Sequence, residues 1–285
     1  MHARGIPSRV PVKIHALQTG KVRIKTAQIE GRGKGIGRQL AIFRDSEWAW
    51  VPTFAYAVEH PEGVIVIDTG QGLHLLRHAE SLHPYLRWQV DFEMQPEDEI
   101  GPRLRALGIG RNDVKKLILT HLHVDHDGGL AHFPNTEIFA ARGEIDAASG
   151  WGGRLNGYLP QRWPNFFDPK PVDFTCGGLG PFEESHTVTK AGDVIALPLP
   201  GHTANHLGVF VETGDDLGTC VLFAGDASYN SAMMQQGKVD GVSPNETLAG
   251  ETLAKIRKLA AQVPLIYLPA HDPQAAERLL QCRTA

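Results

Sequence analysis

The sequence predicts an α/β or α+β protein in which two sheets pack face to face with helices outside them. Short apolar runs at 64–67, 116–119, 194–197, 221–223 and 265–268 have strand length and fall into an early and a late group. Each group is trailed by a helical period: Ile100, Leu104 and Leu107 with Gly108 just beyond them, then Leu253, Ile256, Ala260 and Val263. At 285 residues the chain could be one large domain or two small ones, and it can bury a substantial core either way.

Taken in order, residues 10–26 alternate loosely and predict one or two strands with a turn at Thr19 and Gly20. Residues 31–38 hold four glycines in seven positions. They lack the order of a phosphate loop, and no apolar helix is expected after them, so a loop is read there rather than a nucleotide cradle. Trp48, Trp50 and Phe54 could line a pocket, a subunit contact of a homodimer, or the core. A hairpin is expected over 53–67 around His60 to Gly63, and it ends in Asp68-Thr69-Gly70. A helix and a loop are read over 71–95, with His74, His78 and His83 as non-ligands. The helix carrying Ile100 tolerates Pro102 only in its first turn. After residue 129 a strand (136–140) and a short helix (143–148) lead into 150–184, where Trp151, Tyr158, Trp163, Phe166, Phe167, Phe174 and Phe182 are scattered without period. This irregular stretch is read as a cap supplying an apolar wall. Short strands follow over 186–226 with turns at Ala191-Gly192 and Gly214-Asp215. Ser243-Pro244-Asn245-Glu246 has the form of a capping box opening a helix to about residue 262, and a last helix is expected over 273–282.

Composition excludes some functions. A formal charge of −4 argues against a general nucleic-acid binder, although residues 1–44 hold ten Lys or Arg against the single acid Glu30. That basic stretch is expected to be solvated or to meet acids elsewhere in the chain. Cys176, Cys220 and Cys282 indicate neither a disulfide framework nor a thiolate zinc site. The N-terminus has no apolar leader core and no run reaches membrane-spanning length, so a soluble cytoplasmic protein is expected.

The chemistry concentrates in His121-Leu122-His123-Val124-Asp125-His126, which follows an apolar strand and precedes two glycines. Imidazole and carboxylate are the donors zinc takes outside thiolate sites. On an extended segment His121, His123 and Asp125 share one side, and a turn at Asp125 would bring His126 back, so two metals could sit side by side.

This H-x-H-x-D-H loop resembles that of the metallo-β-lactamase superfamily. Pro200-Gly201-His202-Thr203, Ala224-Gly225-Asp226 and Pro269-Ala270-His271-Asp272 match that family's remaining ligand elements in order, and Asp68-Thr69-Gly70 resembles its D-T-G element. The resemblance implies a single domain over 1–285, an αββα sandwich with two divalent ions; the donor set suits zinc, and manganese, iron or cobalt could occupy it. It implies that His121, His123 and His202 ligate one ion and Asp125, His126 and His271 the other. Asp226 would bridge them and Asp68 would orient the loop. A hydroxide between the ions would then attack a carbonyl or phosphoester.

Asp226-Ala227-Ser228-Tyr229 and the run from Pro200 to His206 look like the N-acyl homoserine lactone lactonases of that superfamily, the quorum-quenching enzymes. The likeness implies that Tyr229 stabilises the lactone oxyanion and that Asp125 relays a proton to the departing ring oxygen. Another small lactone, or a thioester as in glyoxalase II, would fit the same ligands. Only about a dozen residues follow His271, however, where glyoxalase II carries a helical domain.

Overall fold

A computed structural model describes residues 11–77, 84–150, 153–282 and 284; Arg4, Arg9, His78, His83 and Trp151 lie outside them. One sheet holds β1 (Lys13–Lys25), β2 (Trp48–Glu59), β3 (Val64–Ile67), β4 (Val90–Glu93), β5 (Val114–Ile118), β6 (Glu137–Ala141) and β7 (Lys170–Val172), in the spatial order β4-β1-β2-β3-β5-β6-β7. The other holds β8 (Cys176–Leu179), β9 (Phe182–Thr187), β10 (Val194–Pro198), β11 (Leu207–Glu212), β12 (Cys220–Gly225) and β13 (Leu265–Pro269), in the order β13-β12-β11-β10-β9-β8. The helices are α1 (Thr26–Ile29), α2 (Ile36–Arg44), α3 (Leu73–Arg77), α4 (Pro84–Gln89), α5 (Ile100–Ala106), α6 (Arg142–Ser149), α7 (Ser231–Gln236), α8 (Glu246–Ala260) and α9 (Ala275–Leu280).

The period-2 side-chain alternation of strands builds the layers. Phe54, Tyr56, Ile65 and Ile67 point inward and pack against Val209, Phe223 and Leu268 of the second sheet. Ala55, Ala57 and Val66, one residue out of phase, point outward and meet Ile100 and Leu104 of α5. On the far side Leu222 and Tyr267 meet Leu253, Ile256 and Leu259 of α8. Each fully buried aliphatic or phenyl side chain contributes about 1.5–3 kcal/mol. The result is the αββα sandwich.

Strand direction decides where the functional loops gather. β3 runs parallel to β5, and β12 parallel to β13. β10 and β12 are both antiparallel to β11, so they are parallel to each other. Asp68, the 121–126 loop, His202, Asp226 and His271 all follow C-terminal ends of these strands, and the chain delivers them to one edge.

Several local expectations are corrected. β1 does not turn at Thr19 and Gly20: its register against β2 shifts between Gln18 and Lys21 with Gly20 at φ 119°, a bulge that β2 and β4 on either side hold in the sheet. The glycine-rich stretch leads directly into α2, because burial of Arg38 and Ile42 overrides the low helix propensity of its glycines. Residues 170–187 form β7, β8 and β9, whose brevity and glycines hid them. Phe182 is fully buried beneath the second sheet, and Trp163 and Phe167, their rings tilted 4.6 Å apart, pack on the first sheet's outer core, so neither Phe182 nor this pair supplies a wall to the site. The cap of α8 is Asn245, whose Oδ1 accepts from Leu248 N at 3.1 Å, while the Ser243 hydroxyl donates to Asp240 instead. Pro244 therefore precedes the cap rather than following it.

The basic N-terminal segment meets acids of the same chain: Lys13 pairs with Glu59, Lys21 with Glu93, Arg23 with Asp91, Arg32 with Asp45 and Arg38 with Glu246. Cys176, Cys220 and Cys282 form no disulfide. Among the described residues no helix is long and apolar enough to cross a membrane.

Candidate metal centre and active site

The edge of the sandwich brings together all seven residues named as ligands from the sequence. The ligand atoms of His121, His123 and His202 lie within 4.8 Å of one another, as do those of Asp125, His126 and His271. Asp226 stands between the sets: its Oδ2 is 3.4 Å from His202 Nε2 and 3.3 Å from His271 Nε2, and its Oδ1 is 3.2 Å from His126 Nε2. A carboxylate so placed can touch cations on both sides.

Hydrogen bonding behind the cluster assigns the imidazole tautomers. Asp68 accepts from Thr120 N, from Thr120 Oγ1 and, at 3.0 Å, from His126 Nδ1. With its proton committed to Asp68, Thr120 Oγ1 accepts from His121 Nδ1 at 3.1 Å. His271 Nδ1 donates to Pro52 O at 2.8 Å. Each of these rings therefore turns its Nε2 inward, the atom that would meet a cation. His121 Nε2 and His202 Nε2 both face His123 Nδ1, at 3.0 and 3.1 Å. Lone pairs at that separation repel unless a proton or cation lies between them. His126 Nε2 and Asp226 Oδ1 are buried without a hydrogen-bond partner, which in a folded protein calls for a ligand. The residues fit two divalent cations. The nitrogen and oxygen donors suit zinc and also accept manganese, iron or cobalt.

Electrostatics agree with that fit. Burial, reinforced by the neighbouring imidazoles, holds His121 and His123 well below the usual histidine pKa, so both stay neutral. Burial also opposes charge on His126, but Asp226 and Asp68 outweigh it and hold that ring well above its usual value. Asp226, whose burial works the other way, is kept well below the carboxylate range by His271, His126 and His202. In the metal-free protein protons are thus drawn in where cations belong.

The cluster forms one end of a cavity of about 440 Å3. Val22, Ile24, Ile42, Val90 and Phe92 line the same cavity, so its apolar wall comes largely from β1 and α2 together with β4; from 150–184 come Asn156, Gly157 and Tyr158. Tyr229 lines the same cavity with its ring stacked 5.3 Å from His271, and its hydroxyl makes no hydrogen bond among the described residues. Burial, and then the charges of Asp226, Asp240 and Asp125, keep that phenol protonated.

Some contributors were not foreseen. His206 Nε2 accepts from Asp226 N at 3.0 Å, and burial pushes its pKa down to about 3, which keeps it the neutral acceptor this contact needs. It lay within the quoted run from Pro200, where its spacing alone assigns no role. Gly225, at φ 49°, is required beside it: a Cβ there would sit 2.6 Å from His206 Nε2 and from Thr120 Oγ1. Asp68 adopts a left-handed φ of 57° without being glycine, backbone strain that places its carboxylate behind the loop. Asp240 and Glu144 are buried acids beside the site that no local pattern marks.

Known proteins resemble this chain over most of its length. A protein of Mycobacterium tuberculosis named a probable metallo-hydrolase is 30% identical over 259 residues, covering 76% of this chain and 73% of its own. The N-acyl homoserine lactonase AttM of Azorhizobium caulinodans is 24% identical over 280 residues, covering 93% and 94%. A solved N-acyl homoserine lactone hydrolase with the product N-hexanoyl-L-homoserine at its catalytic metal center superposes with a TM-score of 0.76 at 23% identity, covering 96% of this chain and 98% of that one. The metallo-beta-lactamase superfamily profile matches residues 48–271, which span the ligand set from the strand before Asp68 to His271 itself. With that match over most of its length, the chain belongs to the metallo-beta-lactamase superfamily and is one of its metal-dependent hydrolases.

Proposed function

We propose that the protein opens the ring of a lactone, an N-acyl homoserine lactone first among them. The observation that carries this reading is Tyr229, a protonated phenol whose hydroxyl has no hydrogen-bond partner among the described residues, where the ligand cluster meets an apolar cavity. The lactonase relatives named above support it. Two divalent ions, when bound, would supply Lewis acidity and a water acidic enough to attack at neutral pH.

The rest is done by the chain. Val22, Ile24, Ile42, Val90 and Phe92 take the acyl chain and exclude water from it. The Tyr229 hydroxyl donates to the carbonyl oxygen as it gains charge, a contribution of about 3 kcal/mol. Asp125 reaches the cavity floor with its Oδ2 3.6 Å from His271 Nε2, and it carries a proton to the departing ring oxygen. Asp226, His202 and His271 hold the reacting end in register. The exposed thiols of Cys176 and Cys282 suit a reducing cytoplasm. A homodimer would use the N-terminal region, where Ile36, Leu40 and Phe43 of α2 are exposed.

The test is hydrolysis of a panel by the metal-loaded protein: short- and long-chain acyl homoserine lactones, an aryl lactone, S-lactoylglutathione and a phosphodiester, each repeated with Tyr229→Phe. Lactone turnover that falls about 10²-fold without the phenol is expected. Preference for the thioester or the phosphodiester would overturn the lactone assignment while leaving the family intact.

A further inference from the structure

Glu144, in the first turn of α6, is completely buried, and the functional reading above leaves it without a task. Its carboxylate gathers three donors from three separate segments. Oε1 accepts from Leu122 N at 3.3 Å and from the Tyr158 hydroxyl at 2.7 Å; Oε2 accepts from the Thr203 hydroxyl at 2.8 Å. Leu122 lies between His121 and His123. Thr203 follows His202. The Tyr158 ring sits 5.0 Å from the His123 ring, and its backbone pairs with His123 in an isolated antiparallel bridge. Gly157 brings that segment in at φ 91°, where a Cβ would come within 3.0 Å of the His123 ring.

A buried carboxylate is costly unless donors surround it, and here every donor belongs to the backing of one ligand set. The other set is backed differently, by Asp68 on His126 and by Pro52 O on His271. We propose that Glu144 is a positioning residue dedicated to the metal subsite of His121, His123 and His202, as Asp68 serves the subsite of His126. The inference rests on the two-metal reading of the site. It divides the backing of that site unequally between two acids: Glu144 answers for one ion, and Asp68 answers directly for the other while reaching the first only through Thr120 and His121.

The division is read by titrating metal-free protein with Co2+, following the absorption spectrum and the equivalents retained after gel filtration. In Glu144→Gln the carboxamide turns an N–H toward the Thr203 hydroxyl, which can then no longer donate there. One of the two binding steps is expected to weaken about 10- to 100-fold while the other holds. Asp68→Asn is expected to weaken chiefly the step that Glu144→Gln spares, with a smaller loss on the other step through Thr120 and His121. Thr203→Val removes one donor without touching the acid and should reproduce part of the Glu144→Gln loss; Thr203→Ser, which keeps the hydroxyl, should restore it. That pair decides the matter if Glu144→Gln does not fold, as thermal melting of the metal-free forms will tell. If the unsubstituted protein binds two ions and these substitutions weaken both steps alike or neither, this inference fails and the two-metal reading stands. If the unsubstituted protein takes up no second ion, both fall together.

Discussion

The 121–126 loop and the 150–184 segment lie side by side in this protein, yet one announced its role in the sequence and the other concealed it. The loop carries chemistry that tolerates few substitutes: imidazole and carboxylate at fixed spacing on a strand end, with every ligand turned to a shared centre. The segment carries aromatic residues, and burial in a core, stacking on a sheet and lining a cavity all draw on the same side chains. Its three fates are all realised. Phe182 went into the core, Trp163 and Phe167 onto the first sheet, and only Tyr158 among the three groups reached the cavity. Ligand chemistry is read from residue type, whereas packing is read only from what lies opposite.

The sharpest contrast between the two regions is expected from metal removal. Chelation should lower hydrolysis by roughly 10⁴-fold or more, since activated water and Lewis acid leave together, and readdition of Zn2+ should restore it. Uptake of the ions should also depend on pH with a definite sign. Asp226 holds His126, His202 and His271 above the usual histidine pKa against the opposing effect of burial, so these rings bind protons in the metal-free protein. An incoming cation must displace those protons. Affinity should therefore rise with pH from the ordinary histidine range upward, with protons released into a weakly buffered solution on metal addition. Affinity independent of pH, with no protons released, would contradict this ordering.

Replacing Phe182 by Ala should do the opposite of chelation. A fully buried phenyl beneath the second sheet is worth about 3–5 kcal/mol of stability, read by urea unfolding, while kcat of the folded enzyme stays near its original value. A large fall in kcat with little loss of stability would return Phe182 to the cavity wall that the sequence placed there. The same limit applied elsewhere. Strand-length apolar runs in two groups and two helical stripes made an α/β or α+β chain with two sheets legible, and spacing marked the 121–126 loop; the αββα sandwich and the distant ligands His202, Asp226 and His271 came from the resemblance to the metallo-β-lactamase superfamily. By contrast α2 was hidden by glycines and by apolar residues that face outward. The apolar wall at Val22, Ile24 and Ile42 was hidden because residues remote in sequence from the loop are carried to it by β1 and α2. Glu144 left no signal at all. One acid in a helix's first turn looks like ordinary pairing with the helix dipole until three donors from elsewhere close around it.

The smallest expected effect lies where the two regions touch. Trp163 Nε1 donates to Asp127 Oδ2 at 2.6 Å, tying the segment to the residue just past the ligand loop. Burial raises the Asp127 carboxyl to about 7, and the Trp163 N–H and the charge of His126 restrain it from going higher. Because this folded-state value stands above that of a free carboxyl near 3.9, ionisation of Asp127 weakens the fold progressively as pH rises through 7. The indole N–H offsets part of that loss only when the carboxylate is charged. Trp163→Phe keeps the ring contact with Phe167 and removes the donor alone. In the metal-free protein it should cost about 1–3 kcal/mol at pH 8, where a buried charge loses its partner, and less at pH 5, where the carboxyl is protonated. Urea denaturation of both proteins at the two pH values measures the difference. A cost equal at both, or greater at pH 5, would mean that Trp163 holds the segment through packing alone and that its hydrogen bond to the loop contributes nothing separable.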